Sequence, residues 1–298
     1  MKGAFVLMTL LCVAISSVAA APAPVQFAVP GADVAMDLHG DPAGADLVIF
    51  AGGNEWFALP KIIAAFRRQH PEIGHVFYET LPPGVLAKQM NAGALQVGEL
   101  TLRLQPDVFM SGKKRMDAEM RDGMVDAPVI FASNVLGIMV KRGNPKHVKS
   151  LWDLGRTDVR VAMPNPATEG IARQIQIAYR KAGGELLEET IMQTKVREGT
   201  TMLTTIHHRQ TPMWIEDGKA DAGPVWISEA LYQERIHSGI EAVTIPARDN
   251  VTGLYLAAVA KRAEHVRAAR AFIEFLTSPQ AQNIYRSYGF RSATPKEE

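Results

Sequence analysis

The sequence of 298 residues contains one cysteine, Cys12, so no disulfide, no cysteine-ligated metal and no pair of redox thiols can form within it. It also lacks an excess of either charge, with 32 Lys and Arg against 31 Asp and Glu and no block of like charges. A nucleic-acid binder would show a basic stripe, so no nucleic-acid partner is expected. No His-x-x-x-His pair is present, and the scattered histidines give no metal-ligand spacing. The Gly-x-Ser-x-Gly elbow, the phosphate loop and the zinc-protease motif are all missing, and the carboxylates read as spread along surfaces. The expectation is a non-enzyme that needs no cofactor. Internal repeats and low-complexity tracts are absent too. With 47% hydrophobic and 21% charged residues, the composition is that of a globular protein.

The one long apolar stretch is at the start. Met1-Lys2 supplies a positive charge, Ala4 to Val18 carries none, and Ser17-Val18-Ala19-Ala20-Ala21 offers small residues for cleavage. This is the three-part pattern of a secretory signal peptide over residues 1–21. Pro22 and Pro24 follow at once, which fits a membrane anchor poorly. Leu11 precedes Cys12, where a lipoprotein signal needs a small residue, so Cys12 is expected to leave with the signal. The expected compartment is the bacterial periplasm. Residues 22–45, rich in Pro, Gly, Ala and Asp, read as a leader with one short strand near Val34 to Leu38.

From Asp46 onward, strands and helices alternate. Leu47 to Phe50, His75 to Tyr78 and Asp107 to Met110 are short apolar runs, each followed by a turn and a helical stretch. In the first helix Leu59, Ile62, Ile63 and Phe66 share one face, and Pro60 should kink or restart it. Strand, turn and helix in repetition argue for a parallel sheet with covering helices. Pro128 to Val140 is a long extended run. A second set follows: a strand at Val159 to Met163, a helix from Thr168 to about Ala182 stopped by Gly183-Gly184, a helical reading for Met202 to His208, and strands at Asp221 to Trp226, Glu241 to Pro246 and Thr252 to Ala260. Two helices close the chain, the second opened by Ser278 as N-cap and Pro279 as first helical residue. Two α/β lobes joined by two crossings would leave a cleft between them.

The region from Asp46 to Phe290 resembles the type 2 periplasmic solute-binding proteins of ABC transporters, and within them most the molybdate-binding branch. The residues that carry the likeness are Ala51-Gly52-Gly53-Asn54, Leu86 to Gly93, Pro106 to Ser111, and Phe272 to Gln282 followed by Tyr288-Gly289-Phe290. The resemblance implies an α/β fold of two lobes in the Venus-flytrap arrangement with two crossover segments, near 129–141 and 243–258. Lobe I would comprise 46–130 and 251–298, and lobe II 131–250. It further implies a monomeric protein that captures a molybdate-like oxyanion, or another small organic anion, and hands it to an ABC permease in the inner membrane. A sensor that presents its ligand to a membrane receptor is the other use of such a shape.

Ligands of open α/β sheets sit beyond the carboxyl ends of the strands, where helix N-termini favour anions. Four turns are candidates. At Gly53 and Asn54, glycine allows close approach and the amide can donate; the same residues serve equally as a tight turn capped by Asn54. At Thr80, Gly84 and Val85, the resemblance implies hydroxyl-bearing residues, yet Pro82-Pro83 remove backbone donors and leave Gly84, Val85 and the Thr80 hydroxyl, or merely a rigid helix start. Thr168 could meet a ligand or cap a helix. Trp226 stands where the resemblance implies a tyrosine, and brings one donor and a larger face. Finally, His207-His208-Arg209-Gln210-Thr211 looks like an insertion relative to the family pattern. It reads either as a solvated helix end or as a group from which one histidine and Arg209 reach into the cleft.

Overall fold

The computed structural model describes residues 37–97 and 100–292. The signal segment 1–21, Cys12 and most of the leader lie outside them. The first described strand is β1 (Leu38–His39), and of the strand expected near Val34 to Leu38 only Asp37 and Leu38 lie within the described residues.

The apolar runs become strands as their composition demands. β2 (Leu47–Phe50) is buried at all four positions, and its side chains alternate between two cores. Leu47 and Ile49 face one cluster with Ile62, Phe66 and Phe272, and Val48 and Phe50 face another with Phe77, Leu86 and Met116. β2 pairs in parallel with β3 (Val76–Glu79) and with β6 (Val108–Gly112). The covering helices are α1 (Leu59–Gln69), α2 (Pro83–Ala92) and α3 (Lys113–Arg121), with a hairpin β4 (Ala94–Val97) and β5 (Leu100–Arg103) between the last two. Pro60 lies in the first turn of α1, where its missing N–H costs nothing, and a short 3-10 turn at Gly53–Glu55 precedes that helix. Asn54 therefore does not cap α1; the cap position is Ala58.

The sheet is mixed. Its order is β1-β3-β2-β6-β12-β7-β10-β8-β9. β7 (Val129–Lys141) is the long extended run, and it serves two half-sheets. Residues 129–135 pair antiparallel with β12 (Thr252–Val259), while 136–140 pair with β10 (Ala222–Trp226) and 137–141 with β11 (Ile240–Thr244). β10 lies parallel to β8 (Val161–Met163), and β8 parallel to β9 (Thr201–Leu203). The second half-sheet has its own cores. Leu136, Ile138, Ile175, Tyr179 and Trp226 pack on one face, and Met139, Ile215, Val225 and Ile240 on the other.

Three local expectations change. Met202 to His208 is not helical: the backbone of 201–203 completes a parallel ladder with β8, and that pairing outweighs a one-sided pattern only seven residues long. The long helix α4 (Gly170–Glu189) starts after Thr168, with Glu169 at its cap. Asn165 delays it, because its side chain takes the N–H of Ala167 at 3.0 Å and its carbonyl those of Thr168 and Glu169. Gly183-Gly184 kinks α4 without ending it, Gly184 standing at φ 69°. After α5 (Lys195–Arg197), two short helices that the sequence pattern did not reveal, α6 (Gln210–Glu216) and α7 (Ile227–Arg235), flank β10. The chain closes with α8 (Val266–Thr277), α9 (Pro279–Ser287) and β13 (Arg291–Ser292). Ser278 caps α9 by accepting the Ala281 N–H at 3.3 Å, as its position before Pro279 predicts. No helix among the described residues is long and apolar enough to cross a membrane.

Candidate functional site

The strand ends of both half-sheets meet where β7 and β12 cross. From the first half-sheet come the turns after β2 and β3. From the second come the turns after β8 and β9 and the junction of β10 with α7. Five of the sequence candidates fall into one connected group here.

Arg209 makes the longest reach. It stands just before α6, and its guanidinium Nη1 donates to Asp37 Oδ1 at 2.9 Å. Nη2 donates to the carbonyls of Gly53 at 2.8 Å and Thr80 at 2.7 Å. The charge also lies 5.6 Å from the Trp56 ring centre. Gly53 is glycine for a local reason: a Cβ there would come within 2.8 Å of Arg209 Nη2 and 2.9 Å of the Thr80 carbonyl. Thr80 is fully buried, and its hydroxyl donates to Asp37 Oδ1 at 3.0 Å. The hydroxyl that sequence reasoning offered to a ligand is thus engaged inside the protein.

Asn54 donates through Nδ2 to the Tyr255 hydroxyl. Tyr255 packs edge-on to Trp226, ring centres 6.1 Å apart. Trp226 is 8% exposed and ends β10, its ring so close to Gly253 that any Cβ at 253 would overlap it. Behind these rings Asn134 on β7 donates to Ser228 Oγ at 2.7 Å, tying the crossing strand to the start of α7.

Gly84, Val85 and Thr168 are not brought into this group. The Val85 N–H is spent on the Pro82 carbonyl at 2.8 Å, and its side chain is exposed. A Cβ on Gly84 would face Arg115 instead. Thr168 is exposed, and its N–H goes to the Asn165 carbonyl at 3.1 Å.

The 207–211 cluster is not a solvated helix end. His207 is 5% exposed, and its Nδ1 accepts the Arg209 N–H at 3.1 Å, which fixes the arginine's direction. His208 is held between two carboxylates, Nδ1 against Glu169 Oε2 and Nε2 against Glu229 Oε1 at 2.9 Å. Both ring nitrogens then donate, which is the imidazolium arrangement. Burial alone would lower the imidazole pKa, but the two carboxylates outweigh it and raise it well above neutrality. Burial likewise opposes ionisation of Glu169, and the His208 charge together with hydrogen bonds from His208 and Thr204 overrides it, so its pKa falls.

The expectation that carboxylates lie on surfaces is overturned. Glu55 and Glu79 are fully buried at the ends of the turn after β2 and of β3. Burial raises each to about 8, against one hydrogen bond apiece, from Tyr285 to Glu55 and from Gln89 to Glu79. Burial thus favours the neutral, protonated form of both. A chamber of about 160 Å³ opens beside the Arg209 bridge, lined by Trp56, Phe57, Tyr232, His208 and Glu229 among others. Among the described residues, no group of three or more His, Cys, Asp or Glu is placed to hold a metal ion.

Sequence reasoning missed Asp37, Glu169, Glu229, Asn134 and Tyr255. The available signal was charge or amide embedded in apolar context, as in Val225-Trp226-Ile227-Ser228-Glu229-Ala230, where a lone carboxylate follows a buried strand.

Comparison with known proteins agrees with this architecture. Residues 47–291 match the model of a family described as bacterial extracellular solute-binding protein. The molybdate-binding protein ModA of Mycobacterium tuberculosis is 27% identical over 248 residues, covering 82% of this chain and 84% of that protein. The thiosulfate-binding protein of Escherichia coli is 30% identical over 175 residues, covering 55% of this chain and 51% of that one. Among solved structures, the periplasmic molybdate-binding protein of Azotobacter vinelandii superposes with a TM-score of 0.66 at 17% identity, over 84% of this chain and all of that one. The sulfate-binding protein SubI of Mycobacterium tuberculosis gives 0.66 at 21%, over 84% of this chain and 87% of that one. The two half-sheets are the two lobes of the periplasmic binding fold, the family's members bind solutes without transforming them, and the chain belongs to the bacterial extracellular solute-binding proteins, near the ModA branch.

Proposed function

We propose that the protein captures a small anion between its lobes in the periplasm and delivers it to an ABC permease, after export by a cleaved signal over residues 1–21. The observation that carries the reading is the convergence of strand ends from both lobes on Asn54, Tyr255 and Trp226. Relatives that bind molybdate, sulfate and thiosulfate support it. In this reading lobe I is 46–130 with 251–298 and lobe II is 131–250, hinged at the crossings of β7 and β12. Arg209 is paired with Asp37 and His208 with two carboxylates, so the ligand meets neutral N–H and O–H donors rather than a counter-cation. Asn54→Ala is expected to weaken anion binding by about 1–3 kcal/mol, the cost of one donor to a charged group. Calorimetry with the variant checks this, and unchanged affinity in a folded variant would place the site elsewhere.

A second reading, a small organic anion, is favoured by the aromatic end of β10, where Trp226 offers a ring face 8% exposed. Pro82-Pro83 and Trp226 also replace donors that the molybdate binders resembled here would use. Molybdate is accordingly expected to bind more weakly than the overall likeness suggests.

A further inference from the structure

We propose that Asp37 and Arg209 form an interlobe clamp that keeps this binding protein closed through its own groups and thereby sets how tightly and how long it holds a ligand. The inference rests on the two-lobed solute-binding reading and goes beyond it. The acceptors are the Asp37 carboxylate, held on lobe I by the pairing of β1 with β3, and the lobe I carbonyls of Gly53 and Thr80, all gripped by one guanidinium from lobe II. No ligand atom is needed to complete the clamp. Asp37 and Arg209 are 172 residues apart in sequence and both nearly buried, at 1% and 8% exposure. An ion pair so placed cannot form with the lobes apart, so opening the cleft must break it and return both groups to water.

In the sheet order β1-β3-β2-β6-β12-β7, the gripped carbonyl of Thr80 lies at the end of β3, four strands from the crossing strand β7, so the clamp joins the lobes away from the crossings themselves.

Asp37 precedes the family match, which begins at residue 47, and Arg209 lies within it. Asp37 is held by β1, which adds an antiparallel edge strand to β3, and by the Thr80 N–H on its carbonyl at 2.9 Å. The segment before β2 is therefore a working part of the cleft. Because only the closed form assembles the composite site, the fraction closed multiplies the intrinsic affinity.

Small-angle scattering of the ligand-free full mature chain tests this, using wild type, Asp37→Asn and the doubly neutral Asp37→Asn/Arg209→Gln. The double variant leaves no lone buried charge, so it answers even if the single variant fails to fold. The expected result is a ligand-free wild type as compact as protein saturated with molybdate or sulfate, variants that are expanded without oxyanion, and at least tenfold faster oxyanion release from them. An expanded ligand-free wild type, or variants with lower melting temperature but unchanged radius, would overturn the clamp; the second outcome would make Asp37 a mere anchor of β1. If neither oxyanion binds wild type, the anion reading fails by itself, and the ligand-free radii still decide the clamp.

Discussion

Replacing His208 with alanine is expected to cost about 3 kcal/mol of folding stability, the low end for breaking a buried pair because 15% of the side chain still meets solvent. The loss arises less from the missing bonds than from what they leave. Glu169 and Glu229 would face each other across the vacated ring with no cation between them. Glu169 keeps the His208 backbone N–H at 2.6 Å and the Thr204 hydroxyl, which limits the damage on its side. The pH dependence carries a sign. The His208 pKa is raised by folding, so its contribution is complete below the unfolded value of about 6.5 and declines as pH climbs toward the folded value. Glu169 is lowered by folding, so its share is complete above about 4.3 and is lost as pH falls further. The gap between wild type and His208→Ala should thus be widest near pH 5–6 and narrow on both sides. Urea unfolding across that range measures it. A change under about 0.5 kcal/mol, the level of an ordinary surface substitution, would show that the imidazolium is not structural.

Trp226→Ala is expected to have the larger effect, about 3–5 kcal/mol, because a buried indole is lost and its cavity cannot fully collapse. The ring is packed into the lobe II core with Ile175 and Tyr179 and against Tyr255 across the crossing. Gly253 is glycine to admit it. If the ring also meets the ligand, affinity falls by more than the Asn54→Ala variant loses, since the Asn54–Tyr255 bond is left without its neighbour. Thermal or urea unfolding gives the first quantity and calorimetry the second. Full stability in the variant would contradict the packing described.

The order of the fold was legible because most of it is written locally. Four-residue apolar runs such as Leu47 to Phe50 declare buried strands, the i, i+3, i+4, i+7 face of α1 declares a helix, and Ser278-Pro279 declares the start of α9. Short elements escaped where local preference was weak. The segment 201–203 is a strand only because β8 lies beside it, and α6 has just seven residues. At the site, glycine and asparagine after β2, Thr80, Trp226 and Arg209 could be picked from their turns. Their partners could not. His208 meets residues 39 earlier and 21 later, and Arg209 meets one 172 earlier. The first two depend on how lobe II folds and the third on how the lobes meet, which no spacing in the chain records. The same distance explains why carboxylates assigned to the surface turned out to be buried and paired or protonated.

Calorimetry of the mature protein with molybdate, tungstate, sulfate, thiosulfate, phosphate and a set of small monocarboxylates tests the central claim most directly. Binding of at least one small anion at one site per chain, lost or weakened in Asn54→Ala, is the expected result. Binding only to neutral or cationic solutes, or to none of these anions by a folded protein, would contradict an anion-binding cleft at the meeting of the strand ends.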